Sequence, residues 1–147
     1  MGPVSRLQPM PSGHQIEIAF QSKVEYLNLV HAVTDEMARL AGFDGDQSLN
    51  ISLAVREAAT NAVVHGNGGD DAKLVRVRFG VEDGILTICV EDQGGGFEVG
   101  EVADPRDPLN VARTSGRGIF LMRSFMDEVT FSRTPGNGMS VHMAKKS

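Results

Sequence analysis

An α+β architecture, a single-layer mixed, mostly antiparallel sheet covered by helices on one face, follows from three features of this chain. Alternating apolar runs come in hairpin pairs, at residues 75–90 and 129–143. Two segments of helical period stand side by side between residues 22 and 65, and one more, at 115–126, separates the hairpins. The order β-α-α-β-β-loop-α-β-β lacks the regular βαβ alternation that builds a parallel sheet. At 147 residues the chain fits one domain with a core of its own.

Residues 1–13 hold three prolines, two glycines and no periodic pattern, and are expected to be a flexible N-terminal segment. A folded domain is expected to span 14–146. Ile16, Ile18 and Phe20 share one face of a first strand. Ser22 and Glu25 have capping-box spacing before a helix that places Leu27, Val30, Val33, Met37 and Leu40 at helical intervals and stops at Gly42. A second helix starts near Asp44 or Asp46 and runs to about His65. Val75, Val77, Phe79 and Val81 alternate with Arg76 and Arg78, and Asp83-Gly84 turns the chain into Leu86, Ile88 and Val90. After the glycines at 94–96 and an irregular stretch come the short apolar helix of 115–126 and a last hairpin around Pro135-Gly136-Asn137-Gly138.

Composition narrows the function. A formal charge of −5 argues against direct nucleic-acid binding, which calls for a basic patch. No apolar run approaches a membrane span and no signal-peptide core stands at the N-terminus, so a cytoplasmic protein is expected. Cys89 stands alone, which excludes a disulfide framework, and its place in a strand predicts a buried inert thiol. Glycine is abundant, 17 residues in all against a usual ~7% of a chain, and it clusters.

Chemistry concentrates in three places. Glu57, Asn61 and His65 recur every four residues and so line one side of the second helix. At about 100° per residue that side lies between Leu53/Val64 and Ala54/Ala58, while the ordinary polar side is near Ser52, Arg56 and Thr60. A carboxylate and an amide amid apolar surface cost several kcal/mol, as an order of magnitude, unless they find partners. A ligand cavity supplies them; so does a backbone cap or an arginine such as Arg56. The helix alone leaves both open.

Asp92 closes a strand and is followed by Gly94 and Gly96. A carboxylate held there can accept from an exocyclic amine such as that of adenine, and residues without side chains admit a flat base; a plain flexible turn is the alternative. Ser115-Gly116-Arg117-Gly118 opens the last helix, where free N–H groups and the helix dipole make a phosphate seat that Arg117 or Arg113 would reinforce. Glycines that merely let a helix pack closely read the same way.

Taken together and in this order, Glu57-x-x-x-Asn61, Asp92-x-Gly94-x-Gly96 and Gly116-x-Gly118 resemble the N, G1 and G2 boxes of the GHKL (Bergerat-fold) ATPases. Within that superfamily the segments REAATNAVVHGN, DQGGGF and GRGIFLMRSFMDEV are most similar to bacterial anti-sigma factor serine/threonine kinases. The resemblance covers about residues 14–144. It implies that Asn61 ligates Mg²⁺, Asp92 reads the adenine amine, Gly94 and Gly96 shape the base pocket, and Gly116 and Gly118 face the phosphates of ATP. Glu57 would be the general base, with a lid over about 98–114. It implies as partners a sigma factor and a STAS-type anti-sigma-antagonist, and a homodimer for which the edge of the first strand offers an interface.

Two other readings stand beside the kinase: a nucleotide-switched binding module with little transfer, and a detached histidine-kinase-like ATPase domain. His31 on the first helix invites the latter, but Ala32 and Val33 follow it instead of an acidic residue, and a helix-surface role suffices. No Gly-x-x-x-x-Gly-Lys-Ser/Thr occurs, which excludes a P-loop.

Overall fold

The computed structural model describes residues 13–94 and 118–147. Five strands form one sheet: β1 (His14–Gln21), β2 (Leu74–Glu82), β3 (Ile85–Glu91), β4 (Glu128–Arg133) and β5 (Met139–Lys146). They lie in the order β1-β2-β3-β5-β4, and every neighbouring pair is antiparallel. The hairpins thus give the α+β sheet that was expected, with no parallel pair among the described strands.

Register follows the alternation of side chains. Ile16, Phe79, Ile88, Met143 and Val129 form one row across all five strands, and Ile18, Val77, Val90, Val141 and Phe131 form the next. A slip of one residue would turn either row to the opposite face, so burial of this face fixes the pairing. Asp83 and Gly84 join β2 to β3 with φ of 54° and 75°, the left-handed pair that a two-residue hairpin requires.

The helices α1 (Leu27–Ala41), α2 (Gly45–Thr60) and α3 (Gly118–Phe125) pack on that apolar face. Gly42, at φ 95°, ends α1 with its N–H directed to the carbonyls of Ala38 and Arg39. Asp44 caps α2 in a full capping box: its side chain accepts from the Gln47 N–H at 2.8 Å, and the Asp44 N–H donates back to the Gln47 side chain at 3.4 Å. Ala54, Ala58, Ala59 and Ala62 are all buried, so α2 lies close against its neighbours with little side-chain bulk between. Among the described residues no helix is long and apolar enough to cross a membrane.

Local expectations differ from the structure at four points. Ser22 caps no helix; it is buried and donates to the Lys73 carbonyl at 2.8 Å, and Lys23 instead precedes a single 3₁₀ turn, Val24–Tyr26. Leu40 is 39% exposed, one position off the buried stripe made by Val30, Met37 and Ala41. Ser52 is buried, not on an open polar side, because its hydroxyl donates to Asp35 of α1. Cys89 is half-buried on the far face of the sheet, 3.1 Å from the Ser140 hydroxyl and within 3.4 Å of Arg78 Nη2. That far face is charged as well as polar: Arg78 pairs with Glu91 at 2.6 Å and Arg76 with Glu17 at 3.5 Å.

Candidate nucleotide site

The helix bearing Glu57 does not run on unchanged to His65. Regular α geometry ends at Thr60, and Asn61–Gly66 is a π-helical turn. One more residue per turn widens the helix where the site lies, a feature that recurs at functional positions. Asn61 opens this turn. Its Nδ2 is buried without a hydrogen-bond partner among the described residues, although an unpaired buried donor costs about 1–3 kcal/mol. Among the described residues the core leaves the Asn61 Nδ2 unsatisfied.

Glu57, one turn earlier, is half-buried, and burial raises its carboxyl above the usual range while His65 pulls it part of the way back. Arg56 does not neutralise it; that guanidinium reaches Asn28 Oδ1 at 3.4 Å. His31, for its part, faces Asp35 at 3.3 Å on its own helix, as a helix-surface histidine would.

Asp92 stands directly past β3. Its N–H donates to the Met139 carbonyl at 3.0 Å, and its Oδ1 accepts from the Met139 N–H at 3.1 Å. Burial pushes its carboxyl up to about 6, against the opposing pull of backbone N–H groups at Met139 and Gly94 and of the Lys73 ammonium; Glu91 adds to the push. A buried carboxylate whose charge is disfavoured by desolvation gains from a further N–H donor.

Gly94 adopts φ 73°, and a Cβ there would stand 2.2 Å from the Asn137 carbonyl oxygen, so only glycine fits. Gly118 is buried at the start of α3. Gly96, Arg113, Ser115, Gly116 and Arg117 lie outside the described residues.

Two residues escaped the sequence reading. Gly66 ends the π turn against Asp92: a Cβ on it would meet Asp92 Oδ2 at 2.1 Å. Asn67, buried beside it, accepts from the N–H groups of Gln93 at 2.7 Å and Gly94 at 3.1 Å. A glycine and an asparagine just past the Glu57/Asn61 line were the available signal, and they read as ordinary loop residues.

Among the described residues no group of three or more His, Cys, Asp or Glu could hold a metal. The side-chain oxygen of Asn61 could supply one ligand to a cation such as Mg²⁺, which prefers oxygen ligands and commonly takes the rest from water and phosphate.

The histidine kinase-like ATPase domain family matches residues 20–145. The chain belongs to this family. Among relatives of this ATPase domain is the serine-protein kinase RsbW of Bacillus licheniformis, 33% identical over 88% of this chain and 84% of the relative. The anti-sigma F factor of Clostridium novyi is 30% identical over 92% of this chain and 96% of its own length; that of Pasteuria penetrans is 39% identical over 69% of each. A crystal structure of the RsbU and RsbW domains of Rv1364c from Mycobacterium tuberculosis superposes with a TM-score of 0.66 at 18% identity. It covers 90% of this ATPase domain and 32% of that longer chain, and it establishes the shared fold.

Proposed function

We propose that this ATPase domain is an ATP-dependent protein serine/threonine kinase acting as an anti-sigma factor. It phosphorylates a STAS-type antagonist protein and sequesters a sigma factor in the cytoplasm. Relatives named serine-protein kinase and anti-sigma factor support the activity and the partner classes. One observation carries the reading at the level of residues. An orphaned amide, Asn61, and a desolvated carboxyl, Glu57, stand one helical turn apart on the helix whose end backs the Asp92 carboxylate.

Each residue has a task that its surroundings suit. Asp92, a desolvated carboxylate, accepts from the adenine amine, and Gly94 keeps the wall beside it flat. Asn61 would offer its amide oxygen to Mg²⁺, which would supply charge neutralisation for the phosphates. Glu57 takes the proton from the attacking serine hydroxyl, and a carboxyl raised by burial is the better base for it. Phosphoryl transfer depends mainly on such positioning and charge neutralisation. Gly96 shapes the base pocket with Gly94, and Arg113, Ser115, Gly116, Arg117 and Gly118 complete the phosphate side in this proposal, with 14–146 as the kinase domain.

The test is a Mg²⁺-dependent ATP titration followed by transfer of labelled γ-phosphate to proteins captured from the native cytoplasm. Label on serine of a small captured protein supports the kinase. ATP binding with no transfer points to a nucleotide-switched module, and label on histidine points to a two-component ATPase.

A further inference from the structure

Asn67 follows the π turn and is 1% exposed, a polar side chain sealed inside the fold. Its amide is fully used. Nδ2 donates to Ser22 Oγ at 2.8 Å and to the Leu74 carbonyl at 3.0 Å, while Oδ1 accepts from Gln93 and Gly94. Two donors and two lone pairs are the whole inventory of an asparagine side chain. The two N–H groups it holds belong to the residues immediately after Asp92.

The same turn is gripped from the other side. A Cβ on Gly138 would stand 2.0 Å from the Asp92 carbonyl oxygen, and Gly94 is pressed on Asn137. Side chains tie it down further: the Gln93 side chain accepts from the Leu74 N–H at 2.7 Å, and Lys73 Nζ donates to the Gly94 carbonyl. On the helix side, among the described residues, Asn67 alone reaches the N–H groups of Gln93 and Gly94. Its own N–H donates to the Ala62 carbonyl at 2.9 Å, so it is continuous with the turn that begins at Asn61.

We propose that Asn67 is a positioning residue for base selection, locking the Asp92 turn to the helix end that carries Asn61. This rests on the Mg·ATP reading of the site. A pocket rejects a base that lacks the amine because its own acceptor is then left buried and unpaired. That penalty is large only while the acceptor is held in place; a carboxylate free to swing into water escapes it. Asn67 therefore governs the preference between bases more than the binding of phosphates.

The experiment is a set of Mg²⁺-saturated titrations with ATP and inosine triphosphate, which carries a carbonyl in place of the amine, alongside thermal melts. Wild type, Asn67→Ala and Ser22→Ala are compared. Asn67→Ala is expected to narrow the ATP preference by about tenfold or more, the scale of one buried acceptor left unpaired, while binding inosine triphosphate nearly as before. Ser22→Ala removes a contact on the far side of the amide and is expected to keep the preference within about twofold. Full preference in folded Asn67→Ala, or an equal loss in Ser22→Ala, overturns the proposal; the second result would mark a purely structural role. If Asn67→Ala does not fold, Asn67→Ser, too short to hold both N–H groups, is judged by the same criteria. A wild-type protein that binds neither nucleotide overturns the Mg·ATP reading itself, and one that binds both alike overturns base selection at Asp92 and with it this proposal.

Discussion

Gly66 backs directly onto the carboxylate of Asp92, with room between them for no side chain: a Cβ would stand 2.1 Å from Oδ2. The displaced atoms would be the free end of a side chain, so the fold survives the change while the carboxylate moves. Gly66→Val is expected to weaken ATP binding by about tenfold or more, roughly the loss of one charge-assisted hydrogen bond, with a small change in melting temperature. Calorimetric titration checks it. Unaltered affinity would remove Asp92 from the base pocket.

Asn61→Ala separates metal binding from stability. Deleting an amide whose nitrogen is already unpaired removes little that holds the fold, so the melting temperature should stay level or rise. ATP affinity with Mg²⁺ is expected to fall about tenfold or more, and the variant should match wild type once the metal is chelated. A fall in melting temperature without any change in binding would make Asn61 a structural residue.

The pH dependence of Asp92 has a definite sign. Its carboxyl is raised from 3.8 to about 6 in the fold, so the folded state binds more protons than the unfolded state between those values. Its contribution to stability is therefore present below pH 3.8 and lost as pH rises toward 6 and above. ATP affinity runs the opposite way, falling as pH drops through about 6, because the protonated acid loses its charge. Asp92→Asn should therefore melt higher than wild type at neutral pH while losing adenine selectivity. Melts and titrations at matched pH values decide it, and parallel pH profiles for wild type and Asp92→Asn would refute it.

Glu57→Gln keeps shape and burial while removing the proton acceptor. Phosphotransfer is expected to drop by about 10²–10⁴-fold with ATP affinity within a factor of about two, the signature of a general base. Single-turnover transfer to the captured acceptor measures the first and titration the second. Equal loss in both would assign Glu57 to nucleotide binding.

Two substitutions far from the site calibrate the fold. Phe79 is 1% exposed at the centre of an apolar row, so Phe79→Ala should cost about 3–5 kcal/mol in urea unfolding. Asp44→Ala breaks the capping box of α2 and should cost about 1 kcal/mol.

The sheet could be read from the sequence because strand alternation and turn chemistry act within a few residues. Val75 to Val81 shows its buried face in its own spelling, and Asp83-Gly84 announces its turn. Glu57 and Asn61 stood out because each is polar where the helical pattern asks for an apolar residue, and Asp92 because it closes a strand just before two glycines. The rest depends on contacts over long separations. Gly66 matters only because Asp92 arrives beside it, and Asn67 only because residues 93 and 94 do. Ser22 satisfied a local capping rule and was claimed instead by Lys73 and Asn67, far along the chain. The π turn is written in no motif; it emerges where the end of one helix must fit both a strand end and a buried amide.

The hairpin between β4 and β5 bears on how the protein can be engineered. Its tip at Pro135 and Gly136 is exposed and looks like a convenient place to splice in a tag or fluorophore. Yet Asn137 and Gly138 lean on Gly94 and Asp92, so cargo placed there would tug on the Asp92 turn. The Ser147 N–H meets the Gly84 carbonyl at 2.9 Å at the other end of β3 from Asp92, and that end is the safer port for a fusion. The first location suits a biosensor; the second suits an inert handle.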